Sequence, residues 1–486
     1  MAKDIRKSVT SGFVWSFGER ILAQSVSFIV SIVLARILAP SECGVLSFLL
    51  VFINIANVFV SNGFGEALIQ KKDADEKDFS TIFWCSHLFS WIIYIVIFFS
   101  APLIAKVYHN EIYTPVLRVI SLKLPLASFN TIQHAQVSKR LEFRKFFFST
   151  LFGTVISGVA GIWAANAGWG VWALVLQYLM NSTIDTIVLF FTIRWVPKLI
   201  FSIKSVKELM SFGFKMMISS FINTTYIELQ ALVIGAKYTT SDLAFYKRGN
   251  QFPSLFITNI CTSVGKVLFP TMSNIQDKAA IKNMTRRSMQ ITAYLISPLM
   301  FGLIAVSTPL VKVLLTDKWL PCVPFLQLAC LQFLFQPLQT ANCQAIKAMG
   351  KGGTYLKMEI AKKIFGVALL IIAIPRGVYA IAIACVISVF ISALISMFPN
   401  VSLLDYSYKE QIADVSSSII MSLIMLAMIY PMTFLKLNSL VILIVQVIAG
   451  IIIYLVLSKV FKVQPFLYLT EFAKKLFKKR SCQSEG

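Results

Sequence analysis

The sequence predicts an all-α integral membrane protein with about 14 transmembrane helices: two six-helix halves related by a pseudo-two-fold axis along the membrane normal, then two C-terminal helices. Three observations carry that reading. Apolar stretches of about twenty residues recur from Phe13 to the late 450s, the helix length that a hydrocarbon core about 30 Å thick requires. Hydrophobic residues make up 57% of the chain and charged residues only 14%, which excludes a soluble globular domain. The charges collect in short segments between the apolar stretches, and the basic ones alternate from segment to segment. Lipid offers backbone groups no hydrogen-bonding partner, so each stretch is expected to be a helix that satisfies itself.

The spans are centred near residues 25, 55, 92, 126, 156, 181, 222, 259, 301, 334, 365, 388, 422 and 449. The first is a span in its own right and not a cleaved leader: it contains Glu19 and Arg20 and continues to Leu38, longer than a leader's apolar region. The spans near 126, 222 and 259 are the more polar ones, and Pro125, Pro253 and Pro298 fall inside helical patterns, where proline kinks a helix. Boundaries follow from the charged gaps: an N-terminal lobe over 1–193, a cytoplasmic loop over 194–207, a C-terminal lobe over 208–400, helices 13 and 14 over 401–460, and a basic tail over 461–486. The tail "FLYLTEFAKKLFKKR" has one apolar and one basic face, suited to lying on an anionic leaflet of membrane lipids.

The net charge of +23 would point to nucleic acid in a soluble protein, but its distribution reads differently here. With the N-terminus inside, alternate segments hold about 31 basic residues, against about ten on the other side. Lys71 and Lys72, Lys139 and Arg140, Lys282 and Arg286, and Lys347 to Lys363 all fall inside, whereas Lys106, Arg118, Lys247 and Arg376 fall outside. This predicts cytoplasmic termini, an even number of spans and no nucleic-acid partner. The eight cysteines have no metal or redox spacing, and His87, His109 and His134 are scattered, so no metal and no cofactor is expected. Gly350-x-Gly352-Gly353 lacks a phosphate-loop context and reads as a turn. Most tryptophans, among them Trp84, Trp91, Trp163, Trp169 and Trp172, read as an interfacial belt near helix ends.

Compared with itself at an offset of 200 residues, the chain repeats in equivalent places. Ser41-Glu42 meets Ser241-Asp242, and Gly65-Glu66-Ala67-Leu68 meets Gly265-Lys266-Val267-Leu268. Six spans per unit make the repeats parallel.

Several segments then resemble one family. They are "SGFVWSFGERILAQSVSFIVSIVLARILAPSECGVLSF", "GFGEALIQKKDADEKDFSTIFW", "LEFRK", "GKVLFPTMSNIQD" and "KWLPCVPFLQLACLQFLFQPLQTANCQAIKAMGKG". To about residue 400 the chain is similar to the polysaccharide transporters of the multidrug/oligosaccharidyl-lipid/polysaccharide exporter superfamily, the O-antigen and exopolysaccharide flippases of the colanic-acid type. One position departs from the pattern: Ala244 stands before Phe245-Tyr246 where a glycine before the tyrosine is usual. The resemblance implies export of an undecaprenyl-diphosphate-linked oligosaccharide across the bacterial inner membrane, beside a polysaccharide polymerase and a chain-length regulator.

Ionisable residues inside a span are costly and mark function by default. Arg20, Lys123, Lys215 and Lys266 are the expected cationic lining of a cavity for a diphosphate, since fixed cations in a low-dielectric cleft attract dense negative charge. Glu228, Glu66 and Asp185 are the candidates for coupling to H+ or Na+, with charge balance for the lysines as the structural reading. An enzyme such as a glycan polymerase is disfavoured because the outer loops carry no clustered acid, base or nucleophile. A drug exporter is the remaining transporter alternative.

Overall fold

The computed structural model describes residues 22–61, 68, 75–140, 143–193, 195–435 and 437–468. Among these, every regular element is a helix. We label them α1 (Leu22–Ile37), α2 (Pro40–Ser61), α3 (Glu76–Val107), α4 (Tyr113–Ile120), α5 (Lys123–Arg140), α6 (Phe143–Asn166), α7 (Val171–Ile193), α8 (Ile203–Lys237) and α9 (Thr240–Ser273). The series continues with α10 (Lys278–Leu315), α11 (Val323–Phe333), α12 (Gln336–Ala348), α13 (Gly352–Ala373), α14 (Val378–Leu403), α15 (Tyr408–Ile429) and α16 (Ser439–Val460). Every predicted span centre falls on a helix of this series except residue 334, which lies in the turn between α11 and α12; residue 126 lies on α5 of the broken pair α4–α5. Ten spans among the described residues are long and apolar enough to cross a membrane, the one near 259 among them. The centres near 25, 126, 222 and 365 lie on helices outside that ten, because they are short or rich in polar and charged residues. The chain is a multi-pass membrane protein.

The internal repeat is visible in the element order. The pair α1–α2 recurs as α8–α9, and α3 as α10, about two hundred residues later. The fourth span is broken both times, into α4 and α5 and again into α11 and α12. The repeated Ser-acidic pair has one job in both places. Glu42, in the first turn of α2, accepts from the Ala39 amide at 2.8 Å. Asp242, in the first turn of α9, accepts from the Thr239 amide at 3.2 Å, and Thr239 Oγ1 returns the contact by accepting from the Asp242 amide. An acid in the first turn that reaches back to the residue before the helix satisfies a donor the helix leaves orphaned. Of the other repeated pair, Gly65, Glu66 and Ala67 lie outside the described residues.

The chain packs as two compact units, Met1–Ala244 and Phe245–Gly486. This division falls one helix later than the charged gap at 194–207. Within the first unit α8 packs against α2, and the connection that precedes it is strapped to α3. The Trp84 ring nitrogen donates to the Lys198 carbonyl at 3.0 Å. The Lys198 and Ser202 amides donate to Ser80 and Thr81, both at 3.1 Å, and Trp195 donates to Glu76 at 2.8 Å. Trp84 thus ties α3 to the connection.

Prolines explain several side-chain contacts. A proline in a helix frees the carbonyl four residues earlier, and a buried carbonyl needs a donor. Pro102 in α3 frees Phe98, whose carbonyl accepts from Arg118 Nε at 3.1 Å while the guanidinium lies 4.2 Å from the Phe98 ring. Pro298 in α10 frees Tyr294, whose carbonyl accepts from the Tyr454 hydroxyl of α16 at 3.0 Å. Pro309 frees Ala305, which accepts from Thr433 at 3.4 Å. Pro125 behaves differently from expectation. It lies in the first turn of α5, where its missing N–H has no intrahelical partner to lose.

In the second unit α10 packs against α15 and α16, and a polar clasp closes one end. Asp414, whose side chain is only 4% exposed, meets Arg286 at 2.8 Å, Gln290 at 2.7 Å and the Tyr406 hydroxyl at 2.6 Å. Burial, with the Asp414 carboxylate beside it, holds the Tyr406 hydroxyl well above the ordinary tyrosine range, so it remains a donor throughout the physiological range. Behind it Asn400 donates to Asn342 at 2.6 Å, and Asn342 donates to Gln411 at 2.9 Å.

Candidate functional site

The candidate site is a polar seam in the first unit, built where α5 meets α6 and α7. The segment KLPLASFNTIQHAQVSKR makes α5 the most polar helix of that unit. Its Ser128, Asn130, Thr131, Gln133 and Gln136 are nonetheless all buried. In lipid such side chains are held by bonds to neighbouring helices. Contacts advance in step along α5 and α7, so the two run in the same direction. The Lys123 ammonium lies 5.3 Å from the centre of the Tyr178 ring, within reach of a cation–π attraction. Two turns further along both helices, Asn130 Nδ2 donates to Asp185 Oδ2 at 2.9 Å. The Ser149 hydroxyl of α6 also meets the Asp185 carboxylate, and lies 3.2 Å from the Asp185 carbonyl. His134 Nε2 stands 3.9 Å from Asp185 Oδ2.

Small residues let α6 and α7 approach closely enough for this. A Cβ at Gly161 would come within 2.9 Å of Gln177 Cβ. The seam continues one turn back along α7 through Asn181, which donates to Ser157 at 3.4 Å.

A second carboxylate is held in a similar way. Glu228 on α8 is buried, 8% exposed, and accepts from Asn54 Nδ2 of α2 at 2.9 Å. Around these two acids, buried acceptors stand without a hydrogen-bond partner among the described residues: Asn130 Oδ1 and Gln133 Oε1 on α5, Asn57 Oδ1 on α2 and Thr225 Oγ1 on α8. Leaving a buried polar atom unpaired costs about 1–3 kcal/mol, so such a concentration marks a place where the protein keeps bonding capacity in reserve.

Of the expected site residues, the structure brings Lys123 and Asp185 onto one seam and places Glu228 on the neighbouring α2–α8 contact. Lys266 is exposed near the C-terminal end of α9, in the second unit. Lys215 lies on α8 with its side chain outside the described residues, and Arg20 and Glu66 fall outside them altogether. His87 has both ring nitrogens engaged. Ser128 uses its proton on the Pro125 carbonyl, so it accepts from His87 Nδ1 at 2.8 Å, and Nε2 accepts from Trp91 at 3.0 Å.

Sequence reasoning missed two cations. Lys362, counted among cytoplasmic lysines, is buried within α13, where it meets Glu359 at 2.9 Å and Cys343 Sγ at 3.7 Å. Arg248, within α9, lies 5.1 Å from the Trp319 ring and donates to Gln251 at 2.8 Å. The Glu359-x-x-Lys362 spacing was a readable signal for the first, since residues three apart share a helix face.

Comparison with known proteins meets this architecture. Residues 33–324 match the family model described as polysaccharide biosynthesis protein. The chain belongs to that family. The succinoglycan biosynthesis transport protein ExoT of Rhizobium meliloti is 26% identical over 348 residues, covering 71% of this chain and 70% of the relative. The lipopolysaccharide biosynthesis protein WzxC of Escherichia coli is 23% identical over 433 residues, 88% of each chain. Among solved structures, the lipid II flippase MurJ in its inward closed conformation aligns over 93% of this chain and 98% of its own, with a TM-score of 0.76 and 19% identity. An inward-facing multidrug transporter of the MATE family aligns over 80% of this chain, with a TM-score of 0.60 and 14% identity. These structural likenesses establish the fold.

Proposed function

We propose that this protein is a flippase that moves an undecaprenyl-diphosphate-linked oligosaccharide across the bacterial inner membrane, for O-antigen, capsule or exopolysaccharide assembly. The observation that carries the reading is family membership together with relatives named for succinoglycan transport and lipopolysaccharide biosynthesis, which align over most of the chain. No bond is made or broken. Two repeats of six spans rock by alternating access, with the glycan and diphosphate in the polar interior and the isoprenoid in lipid. Arg20, Lys123, Lys215 and Lys266 line the path and offset the diphosphate charge, and Glu228, Glu66 and Asp185 couple transport to H+ or Na+. Both termini are cytoplasmic, and a polysaccharide polymerase and chain-length regulator are the partners expected beyond the membrane lipids.

Proteoliposomes holding a fluorescent undecaprenyl-diphosphate oligosaccharide in one leaflet test this. The wild type is expected to transfer it to the other leaflet, and Arg20→Ala to reduce transfer by about tenfold or more, the effect of about 1.4 kcal/mol at a charged contact. Transfer untouched by Arg20→Ala removes that residue from the lining. No transfer of any glycan, with export of organic cations instead, would replace the flippase with the drug-exporter alternative.

A further inference from the structure

We propose that Asp185, Asn130, Gln133 and Ser149 form a sodium site in the first unit, closed in this structure by the Asn130 amide and opened when that amide turns over. The proposal deepens the coupling part of the function above and rests on that reading only for its use in transport; occupancy itself is independent of it.

The argument begins with charge. Asp185 stands midway along α7, and its contacts among the described residues are Asn130, Ser149 and His134, with no lysine or arginine. A single carboxylate in such a place balances one positive charge, which fits a monovalent cation and not a divalent one. Its side chain is 22% exposed, so an ion has a way in.

The second observation is the orphan oxygens. Asn130 is 92% buried, being 8% exposed, and its amide sits at the carboxylate with the nitrogen bonded and the oxygen unpartnered. Turning the amide about its last torsion exchanges the two atoms. The nitrogen leaves the carboxylate and the oxygen takes its place, which leaves room only for a cation shared between two oxygens. Gln133, 3% exposed and one turn along the same face of α5, has a second buried oxygen without a partner. The Ser149 hydroxyl meets the carboxylate now and can turn a lone pair to an ion instead. Carboxylate, amide and hydroxyl oxygens are the hard donors that alkali and alkaline-earth cations choose.

His134 is the titratable group facing this site. At 3.9 Å it is too far for a hydrogen bond to Asp185.

The test is equilibrium binding of radioactive sodium to the full-length protein in lipid nanodiscs, with potassium holding ionic strength constant. The wild type is expected to bind one sodium per chain saturably. Asp185→Asn is expected to abolish binding, and Gln133→Leu to weaken it about tenfold while raising the sodium-free unfolding temperature, because an unpaired buried oxygen is removed. Glu359→Gln, at a carboxylate of the second unit that pairs with Lys362, is expected to leave binding unchanged. Absence of saturable binding to folded wild type overturns the proposal, as does binding that survives Asp185→Asn or is lost only in Glu359→Gln. If Asp185→Asn fails to fold, Gln133→Leu decides: unchanged affinity overturns the site. Flipping without sodium binding would overturn this site and keep the flippase; sodium binding without flipping would do the reverse.

Discussion

Two seams of buried polar side chains, α5 with α7 in the first unit and α10 with α16 in the second, use similar residues to opposite ends. Along α10 the polar groups close on backbone that proline has opened: Tyr454 on the Tyr294 carbonyl and Thr433 on the Ala305 carbonyl. Tyr294 itself donates to Ser458 at 2.9 Å. Each such bond replaces one the helix lost and fixes a neighbour in position. Along α5 the bonds run between side chains and converge on an acid, with two amide oxygens left over; the one left over on α16, Gln446 Oε1, has no acid beside it, its amide nitrogen donating to the Ile429 carbonyl and to Thr433. A polar contact that ends on backbone holds the fold together. One that ends on a carboxylate with acceptors to spare is built to take something in.

That contrast can be broken by substitution. The largest effect is expected at the clasp near the start of α10. Asp414→Ala removes the shared partner of Arg286, Gln290 and Tyr406 and should cost about 3 kcal/mol, read as a fall in unfolding temperature, with sodium binding intact. Next comes Tyr454→Phe, which leaves the Tyr294 carbonyl bare and should cost about 1–2 kcal/mol. Combining it with Pro298→Ala restores an intrahelical donor, so the double variant should lose less than the sum of the singles. An additive result would break the proline account of the α10–α16 seam. The smallest stability effect belongs to the other seam: Asn130→Leu should change unfolding by about 1 kcal/mol or less, yet depress transport strongly. A large loss of stability with transport retained would make α5 a structural helix like α10.

Much of this was legible in the sequence. Length, apolarity and the alternation of charge gave the helices, and the Ser-acidic pairs at 41–42 and 241–242 marked equivalent helix starts that the structure shows to be capped by the same device. Asp185 and Glu228 could be picked out because a charge inside a span is conspicuous against its neighbours. Their asparagine partners could not. Asn130 and Asn54 lie 55 and 174 residues away in sequence, and nothing local to an amide says which helix it will face. The polar composition of α5 weakened it as a span for the same reason that it makes the seam. Lys362 was not picked out because it stands in a lysine-rich run with Lys351 and Lys363, and nothing local says which of them is buried.

The Tyr294 carbonyl has one more consequence, and it concerns the order in which the chain is made. Its donor, Tyr454, is 160 residues further on, so α10 enters the bilayer with an open carbonyl that only the last described span can close. Until α16 emerges from the ribosome, the second unit is an unfinished membrane domain. A premature stop anywhere in the final fifty residues before Tyr454 would therefore not produce a shorter transporter, but a helix bundle with an exposed flaw that quality-control proteases can find.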